Sequence, residues 1–272
     1  MNQTNFDIIQ KRSSCRSYDG RKLSISDRGK LEESIRKSLI NPFGASVRLP
    51  ILANDKLAGQ KLGTYGVIRG AQQFIACVVK SGRMDIEGLG YSMERAVLES
   101  TAMGLGTCWL AGTYNRNDFK DAAQLSGDER IVCVSPVGYP ADRRTLLDSM
   151  MRGMAGSAKR KSWNSLFFDE SVANSLSKQA AEEYRDALEA VRLAPSGSNG
   201  QPWRIIRDGG RFHFYRAVKP GSDYGRVDMG IAACHFELVA REKGLKGKWV
   251  EADPGLHSDS KMVYFITWEN SS

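Results

Sequence analysis

The chain repeats one order of elements. A helix-forming run over residues 31–42 ends at Pro42, and a similar run over residues 184–195 ends at Pro195. Further on, residues 90–109 and 230–249 each join a helix of small and apolar residues to the pattern G-L-x-x-x-W. Such self-similarity is typical of chains built from related units. The repeat therefore predicts two fused half-units that act together like a dimer.

Both halves mix helices with strands. Turn and breaker residues indicate helices over residues 6–12, 26–39 and 177–193. Apolar runs indicate strands over residues 74–79, 131–137 and 262–268, and a hairpin joins residues 203–207 to 211–215. We predict an α+β fold class. Two α+β units that resemble each other by coincidence are the alternative.

The run after the second proline-ended helix is the clearest candidate for a binding loop. Residues 192–203 read R-L-A-P-S-G-S-N-G-Q-P-W, in which Pro195 ends the helix and small polar residues follow. Such residues expose backbone amides, so a flat or anionic ligand can approach closely. The alternative is an ordinary turn between a helix and a strand.

Two basic clusters are candidates for binding an anion. Arg12 and Arg16 lie four residues apart in the run Arg12-Ser13-Ser14-Cys15-Arg16, with a hydroxyl midway. Because guanidinium groups offer planar forks of donors, they can converge on one anion, although a surface loop is the alternative. A later cluster, Lys159-Arg160-Lys161, is also confined to the first half. Since the full loop at 195–203 occurs only in the second half, we expect one site per chain.

Charge and cysteine content narrow the function classes. The net charge is +8 with a pI near 9.2, but the basic residues are spread along the chain. This distribution favours a small phosphate-bearing ligand over nucleic acid. Five scattered cysteines without a C-x-x-C pair indicate neither a disulfide framework nor a zinc site. Because no leader pattern or membrane-length apolar run is present, we expect a soluble, cytoplasmic protein without membrane contact.

Several reactive residue types are expected to be structural. His213, His235 and His257 form no recognisable triad or ligand set, and His235 lies in a helix whose sequence indicates packing. Cys108 is expected to be a small buried hydrophobe. The surrounding glycines predict that residues 85–87, which contain two carboxylates, form a solvated loop.

These motifs together resemble the FMN-dependent nitroreductases, and in particular the tandem subgroup in which two nitroreductase-like halves are fused. Arg12, Ser14 and Arg16 match the family's R-x-S-x-R/K motif, and residues 104–112 resemble its G-L-G-x-x-W segment. The basic pair Arg160 and Lys161 follows a G-x-P run, as in the family. The P-S-x-x-N-x-Q-P-W loop corresponds to Pro195, Ser196, Gly197, Asn199, Gln201, Pro202 and Trp203.

The resemblance implies a fold and a cofactor. The fold would be nitroreductase-like, with two fused halves over residues 1–165 and 166–272, each a mainly antiparallel sheet flanked by helices. One FMN would be reduced by NADH or NADPH and would pass the hydride to a small electron acceptor such as a nitroaromatic or a quinone. The chain would act as a monomeric internal pseudo-dimer, with no side chain acting as nucleophile or general base.

The resemblance also implies roles for particular residues. Arg12 or Arg16 would lie near the flavin N1 and O2 atoms, and Arg160 and Lys161 would face the phosphate. A backbone N–H near Ala111 or Gly112 would serve N5. The cofactor-binding residues that we predict are Arg12, Ser13, Ser14, Arg16, Leu110, Ala111, Gly112, Arg160, Lys161, Pro195, Ser196, Gly197, Asn199 and Gln201.

One functional alternative is a protein of another class. A non-catalytic flavin-binding or nucleic-acid-binding protein could keep the fold and lose the reaction. The basic net charge favours this alternative, because a basic surface attracts nucleic acid with an affinity that falls steeply with salt. We nevertheless expect no specific nucleic-acid partner, because the loop, both basic clusters and the 104–112 segment occur together.

Overall fold

The computed structural model describes residues 3–54, 62–142, 159–218, 225–256 and 261–271. The chain forms two compact units: the N-terminal unit, Lys11–Ala155, and the C-terminal unit, which combines Met1–Gln10 with Gly156–Ser272. The first residues belong to the C-terminal unit, where the Asn5 N–H donates to Glu242 Oε1 at 2.7 Å. The predicted repeat boundary at 165/166 stays a prediction. His257 lies outside the described residues.

The N-terminal unit contains a five-stranded antiparallel sheet. Its strands are β1 (Val47–Arg48), β2 (Ile51–Ala53), β3 (Gln73–Lys80), β4 (Gly106–Thr107) and β5 (Glu129–Gly138). They follow the order β1-β3-β5-β4, and β2 also pairs with β3. The short α1 (Asn5–Lys11) comes first in the chain. The helices among the described residues of this unit are α2 (Ile25–Ser38), α3 (Asp85–Ala102) and α4 (Arg116–Ala123).

Strand β3 is buried on both faces, which explains its continuous apolar run. Ile75, Cys77 and Val79 lie in one hydrophobic cluster with Leu31 of α2 and Leu89 of α3. The alternate residues Phe74, Ala76 and Val78 lie in a second cluster with Phe119 of α4. Since successive strand side chains point to opposite faces, helices must cover both sides of this sheet.

The C-terminal unit contains a six-stranded sheet. Its strands are β6 (Phe167–Asp169), β7 (Ser171–Ser175), β8 (Trp203–Asp208), β9 (Arg211–Ala217), β10 (Gly247–Val250) and β11 (Met262–Asn270). They follow the order β10-β11-β9-β8-β6-β7, and only the β6–β8 pairing is parallel. Helix α5 (Arg185–Leu193) packs against α6 (Gly225–Glu242), and both belong to this unit.

The repeated helices α3 and α6 end in the same way. Each spans 18 residues and is followed by a glycine with φ of 77°, Gly104 or Gly244. The next amide reaches back to the last turn in both cases, from Leu105 to Ser100 O at 2.8 Å and from Leu245 to Ala240 O at 2.9 Å. This is a Schellman cap, in which a left-handed glycine satisfies the helix carbonyls. The sequence repeat thus corresponds to a repeated local structure.

The tryptophan of each G-L-x-x-x-W pattern is fixed by a buried glutamate. The Trp109 Nε1–H donates to Glu94 Oε2 at 2.9 Å, and the Trp249 Nε1–H donates to Glu237 Oε2 at 2.7 Å. Glu94 lies 15 residues before its tryptophan and Glu237 lies 12 residues before its own, so the positions of the two glutamates in their helices differ by about one turn. Both halves satisfy the half-buried indole in the same way, but from different positions of the helix.

Two sequence-based expectations about local structure were wrong. The helix predicted over residues 177–193 begins only at Arg185, because Glu182 has a φ of 49°, which a right-handed helix cannot accommodate. Residues 85–87 are the first turn of α3 and not a solvated loop, with Asp85 buried beside Arg130 at 2.7 Å. Gly88 allows the close packing there, since a Cβ would lie 2.3 Å from Ala45 Cβ.

Candidate functional site

The loop after Pro195 has an unusual backbone conformation. Ser198, Asn199 and Gln201 have φ values of 49°, 52° and 47°. All three are non-glycine residues in the left-handed region, where each costs about 1–2 kcal/mol. Backbone strain of this kind persists only when the surroundings hold it, and it concentrates at functional sites.

Arg160 is one of the groups that hold the loop. Its Nη1 donates to Asn199 Oδ1 at 2.9 Å and to Ala194 O at 3.1 Å, and its Nη2 donates to Leu193 O at 2.8 Å. These carbonyls end helix α5, so the cation also satisfies the C-terminal end of that helix. The predicted basic pair and the predicted loop therefore meet within the C-terminal unit.

Lys161 fastens the other end of the same loop. Its backbone N–H donates to Gln201 Oε1 at 2.8 Å, while its Nζ donates to Gly200 O at 2.8 Å and to Gln201 O at 3.1 Å. Gln201 is buried, and its own N–H donates to Ser196 Oγ at 2.9 Å, which closes the loop on itself. The positions that match the P-S-x-x-N-x-Q motif are thus joined by hydrogen bonds to each other and to the basic pair.

Two residues that the sequence analysis missed also contact this loop. The Asp228 carboxylate, from the first turn of α6, accepts the Gly197 N–H at 3.0 Å, and burial raises its pKa to about 7. Arg204, the second residue of β8, donates through Nη1 to Gln201 O at 3.2 Å and to Trp203 O at 2.6 Å. Burial lowers the pKa of Arg204, as it does for any desolvated cation. Only the position of Arg204 directly after the motif could have drawn attention to it.

The Arg-Ser-Arg cluster lies in the N-terminal unit and is held in an extended conformation. Ser14 forms a bridge with Thr107, and the Cys15 N–H donates to Thr107 O at 2.8 Å. On the other side, the Arg69 N–H donates to Arg16 O at 2.9 Å. In an extended chain alternate side chains share a side, which is the spacing of Arg12, Ser14 and Arg16.

The cluster and the 104–112 segment pack closely in this unit. A Cβ on Gly106 would lie 2.7 Å from both Cβ and Sγ of Cys15, so only glycine fits at this approach. Beyond it, the N–H and C=O of Leu110 are both paired with Val134, at 2.9 Å each. The Leu110 amide therefore belongs to the sheet, and any amide that serves a ligand must come from the residues after it, as predicted for Ala111 or Gly112.

The two described histidines and Cys108 lie in structural surroundings. His235 is fully buried, and its Nδ1 lies 2.9 Å from Ala190 O of α5. The Nδ1 of His213 lies 2.8 Å from Thr267 Oγ1, and burial lowers the pKa of this imidazole. The thiol of Cys108 is buried and lies 3.9 Å from Trp109 O.

The two mixed α/β units, their mainly antiparallel sheets and the repeated helix caps define a nitroreductase-like fold. The model of the family described as "Putative TM nitroreductase" matches residues 5–240. The chain belongs to this family. The predicted family and fold class are therefore confirmed.

Solved structures are similar to the chain at low sequence identity. A nitroreductase-like protein from Thermotoga maritima is 21% identical, with a TM-score of 0.61 over 99% of this chain and 94% of its own. A structure named as a NADH dehydrogenase/NAD(P)H nitroreductase from Bacteroides thetaiotaomicron is 21% identical, with a TM-score of 0.43 over 53% of this chain and 91% of its own. An FMN-dependent nitroreductase from Clostridium difficile R20291 is 16% identical, with a TM-score of 0.41 over 51% of this chain and 88% of its own.

Among curated proteins, none is significantly similar to the chain. Within the described residues, no helix is both long enough and apolar enough to cross a bilayer.

Proposed function

We propose that the protein is an FMN-dependent oxidoreductase. It would take a hydride from NADH or NADPH and transfer it, through one bound FMN, to a small acceptor such as a nitroaromatic or a quinone. The observation that carries the proposal is the strained loop over residues 196–201, which is fastened by Arg160 and Lys161. Strain held by so many hydrogen bonds is what a preorganised binding loop requires.

The residues of the C-terminal unit fit the chemistry of FMN. Its phosphate is a dianion and its ring system is a flat plate, so the cofactor needs positive charge beside small, backbone-exposing residues. Arg160, Lys161 and Arg204 each donate to oxygen atoms in or next to the loop, which concentrates positive charge at one place. Ser196, Gly197 and Gly200 add little side-chain bulk. We assign the phosphate to the positive charge of Arg160 and Lys161.

We assign a second set of groups to FMN from the family motif of the N-terminal unit. When bound, FMN provides the redox chemistry, since it can accept a hydride and give it up again. Arg12 and Arg16 would hold the pyrimidine edge and stabilise the negative charge that develops there on reduction. Ser13 and Ser14 would add hydroxyl donors, and an amide of Ala111 or Gly112 would be directed at N5. No side chain acts as a nucleophile in this assignment.

In the N-terminal unit, residues 41–46 form the loop that corresponds to the loop at 195–203. This counterpart loop supports a stoichiometry of one FMN per chain. Its amides are used internally, because Asn41 Oδ1 accepts from the Phe43 N–H at 3.2 Å and from the Ala45 N–H at 3.1 Å. A loop whose amides are already paired has fewer donors to offer a ligand. We therefore propose a monomeric pseudo-dimer in which the second potential site has been lost.

The test begins with the purified protein and a titration of FMN. We expect one equivalent to bind, with the protein turning yellow and its flavin absorbance fading on anaerobic mixing with NADH or NADPH. The reduced protein should then be reoxidised by members of a panel of nitroaromatics and quinones. Failure of both nicotinamides to reduce the bound flavin would overturn the proposed reaction, and binding of two equivalents would overturn the single site.

The basic net charge of +8 keeps a nucleic-acid-binding function as the second candidate. The same preparation tests it, because electrostatic binding to nucleic acid weakens steeply with salt. We expect weak binding that is lost at about 0.2 M salt. Tight, sequence-preferring binding that survives this salt, together with no turnover of any acceptor, would favour the second candidate.

A further inference from the structure

The two halves of the chain hold their proline-ended loops in different ways. In the N-terminal unit the loop holds itself, since the Asn41 side chain accepts two amides and its Nδ2 donates to Ala45 O at 2.9 Å. When Pro42 is aligned with Pro195, Asn41 corresponds to Ala194. An alanine side chain cannot form hydrogen bonds. The contact that Asn41 makes in the N-terminal unit must therefore come from another residue in the C-terminal unit.

That partner comes from the long helix of the same unit. Asp228 of α6 is 6% exposed, and its Oδ1 accepts the Gly197 N–H at 3.0 Å. When Gly104 is aligned with Gly244, Asp228 corresponds to Gly88 of α3. Gly88 faces the equivalent loop of its own unit, because a Cβ there would lie 2.9 Å from Asn41 Oδ1.

The hydrogen-bonding group has therefore changed sides between the halves. The N-terminal unit has an asparagine in the loop and a glycine in the helix, and the C-terminal unit has an alanine in the loop and an aspartate in the helix. The C-terminal loop still uses its own side chains, since the Gln201 N–H donates to Ser196 Oγ. The Gly197 amide, however, is held from outside the loop by Asp228.

We propose that Asp228 is the positioning residue of the loop, which it holds by the Gly197 amide in the conformation that binds FMN. This inference rests on the proposed function. Asp228 anchors one end of the strained stretch, and Lys161 anchors the other through Gln201. Without the first anchor, Arg160 still holds Asn199, but Ser198 is no longer forced to keep a positive φ, and this part of the loop relaxes away from its binding conformation.

Asp228 can be replaced without breaking an ion pair of its unit. Burial and the hydrogen bond from the Gly197 N–H determine the pKa of this carboxyl, and no charged side chain among the described residues contributes to it. On the neighbouring helix α5, Arg192 is held by Glu189 of the same helix, at 2.9 Å from its Nε. Replacing Asp228 therefore removes the anchor of the loop and leaves the ion pairs of the unit in place.

The experiment compares three variants of the full chain with the wild type. Asp228→Ala removes the acceptor, and Asp228→Asn keeps an amide oxygen that can accept the Gly197 N–H. Asp186→Ala is the matched control, since it removes an aspartate of α5 that pairs with Lys243 and does not touch the loop. Hydrogen exchange of the apo protein over residues 195–203 reports the loop, and an FMN titration with visible circular dichroism reports the cofactor.

We expect Asp228→Ala to accelerate exchange over residues 195–203 and to weaken FMN binding about 5- to 10-fold, which is the upper part of the range for a lost neutral hydrogen bond. Asp228→Asn should restore both properties to within about 2-fold, with the flavin dichroism of the wild type, because it keeps a neutral acceptor for the Gly197 N–H. Asp186→Ala should match the wild type in both. These results would support a positioning role, because the loss of a different aspartate in the same unit would leave the loop and the cofactor affinity unchanged.

Two other results are informative. If the wild type binds no FMN but Asp228→Ala still accelerates exchange in the loop, the proposed function fails and the anchoring of the loop stands. If Asp228→Ala does not fold, the double variant Ala194→Asn with Asp228→Gly transfers the N-terminal arrangement and should restore protection of the loop. Wild-type exchange and wild-type affinity in Asp228→Ala, or no recovery in Asp228→Asn, would overturn the inference.

Discussion

Asp228 should make the stability of the protein depend on pH in an unusual direction. Burial raises the pKa of this carboxyl from 3.8 to about 7. The unfolded chain therefore loses the proton near pH 4, while the folded protein keeps it until about pH 7. Because the folded state holds the proton more tightly, the stabilisation that the neutral carboxyl provides is complete below pH 4 and is lost as the pH rises to 7.

The magnitude follows from the pKa shift. A shift of about three units corresponds to roughly 4 kcal/mol between the two limits, at about 1.4 kcal/mol per unit. Asp228→Asn stays neutral at every pH, so it avoids this loss. Between pH 5 and pH 8 the unfolding free energy of the variant should gain about 2–3 kcal/mol relative to the wild type.

Urea denaturation of the apo protein at several values between pH 5 and pH 9 measures the difference. Asp186→Asn is the control. Hydrogen bonding to Lys243 lowers the pKa of Asp186, so this carboxyl is ionised in both the folded and the unfolded state over this range, and the difference between Asp186→Asn and the wild type should stay constant. A constant difference between Asp228→Asn and the wild type, within about 0.5 kcal/mol over this range, would refute the reasoning. It would mean that Asp228 titrates as an exposed carboxylate.

Three further predictions rest on packing and charge. Gly106→Ala should destabilise the protein by about 1–3 kcal/mol in urea denaturation, because the added methyl would overlap Cys15. Gly29→Ala is the control, because open space surrounds Gly29 in helix α2, and it should be neutral or stabilising. Ellman's reagent should modify only Cys15 in the native protein, because the other four thiols are buried, and fast modification of a second thiol would contradict the packing. Arg160→Ala should weaken FMN binding about 10-fold in a fluorescence titration. Arg160→Lys should not restore the affinity, because an ammonium cannot reproduce the forked hydrogen bonds to Leu193, Ala194 and Asn199. Wild-type affinity in the lysine variant would show that charge alone matters.

Local signals predicted most of the regular structure. The hairpin at Asp208-Gly209-Gly210 was predicted from turn residues, and β8 and β9 pair there from Asp208 to Arg211. The strands predicted over residues 74–79 and 131–137 lie within β3 and β5. Helix α2 was predicted to within one residue at each end. These elements depend on neighbours in sequence, so their patterns could be recognised directly.

Helix starts were less predictable. Helices α3 and α6 begin at Asp85 and Gly225, about one turn or more before the positions that the repeat indicated. Glycines near the start of α3 indicated a loop, yet Gly88 is helical because Asn41 and Ala45 pack against it. Tertiary packing overrides intrinsic propensity at such positions, because a helix that buries its surface tolerates a residue of low propensity.

The candidate site was predicted as separate motifs, and the structure added their connections. The motif at 195–203 and the basic pair at 160–161 were both identified from the sequence, but their hydrogen bonds to each other were not. Asp228 was missed altogether. The residues around Asp228 in α6 are typical of any helix start. Nothing in them indicates that its carboxylate faces Gly197, 31 residues earlier.

The sequence by itself therefore determined the repeat, the family, the glycine-ended helices and the small polar loop, because each depends on residue types at short spacings. Only the tertiary structure decided how the loop keeps three left-handed non-glycine residues, and which buried carboxyl and cations hold it. The physical reason is that strain and desolvation depend on what surrounds a group in space. Residues distant along the chain supply those surroundings, and their pairing is decided when the elements pack together.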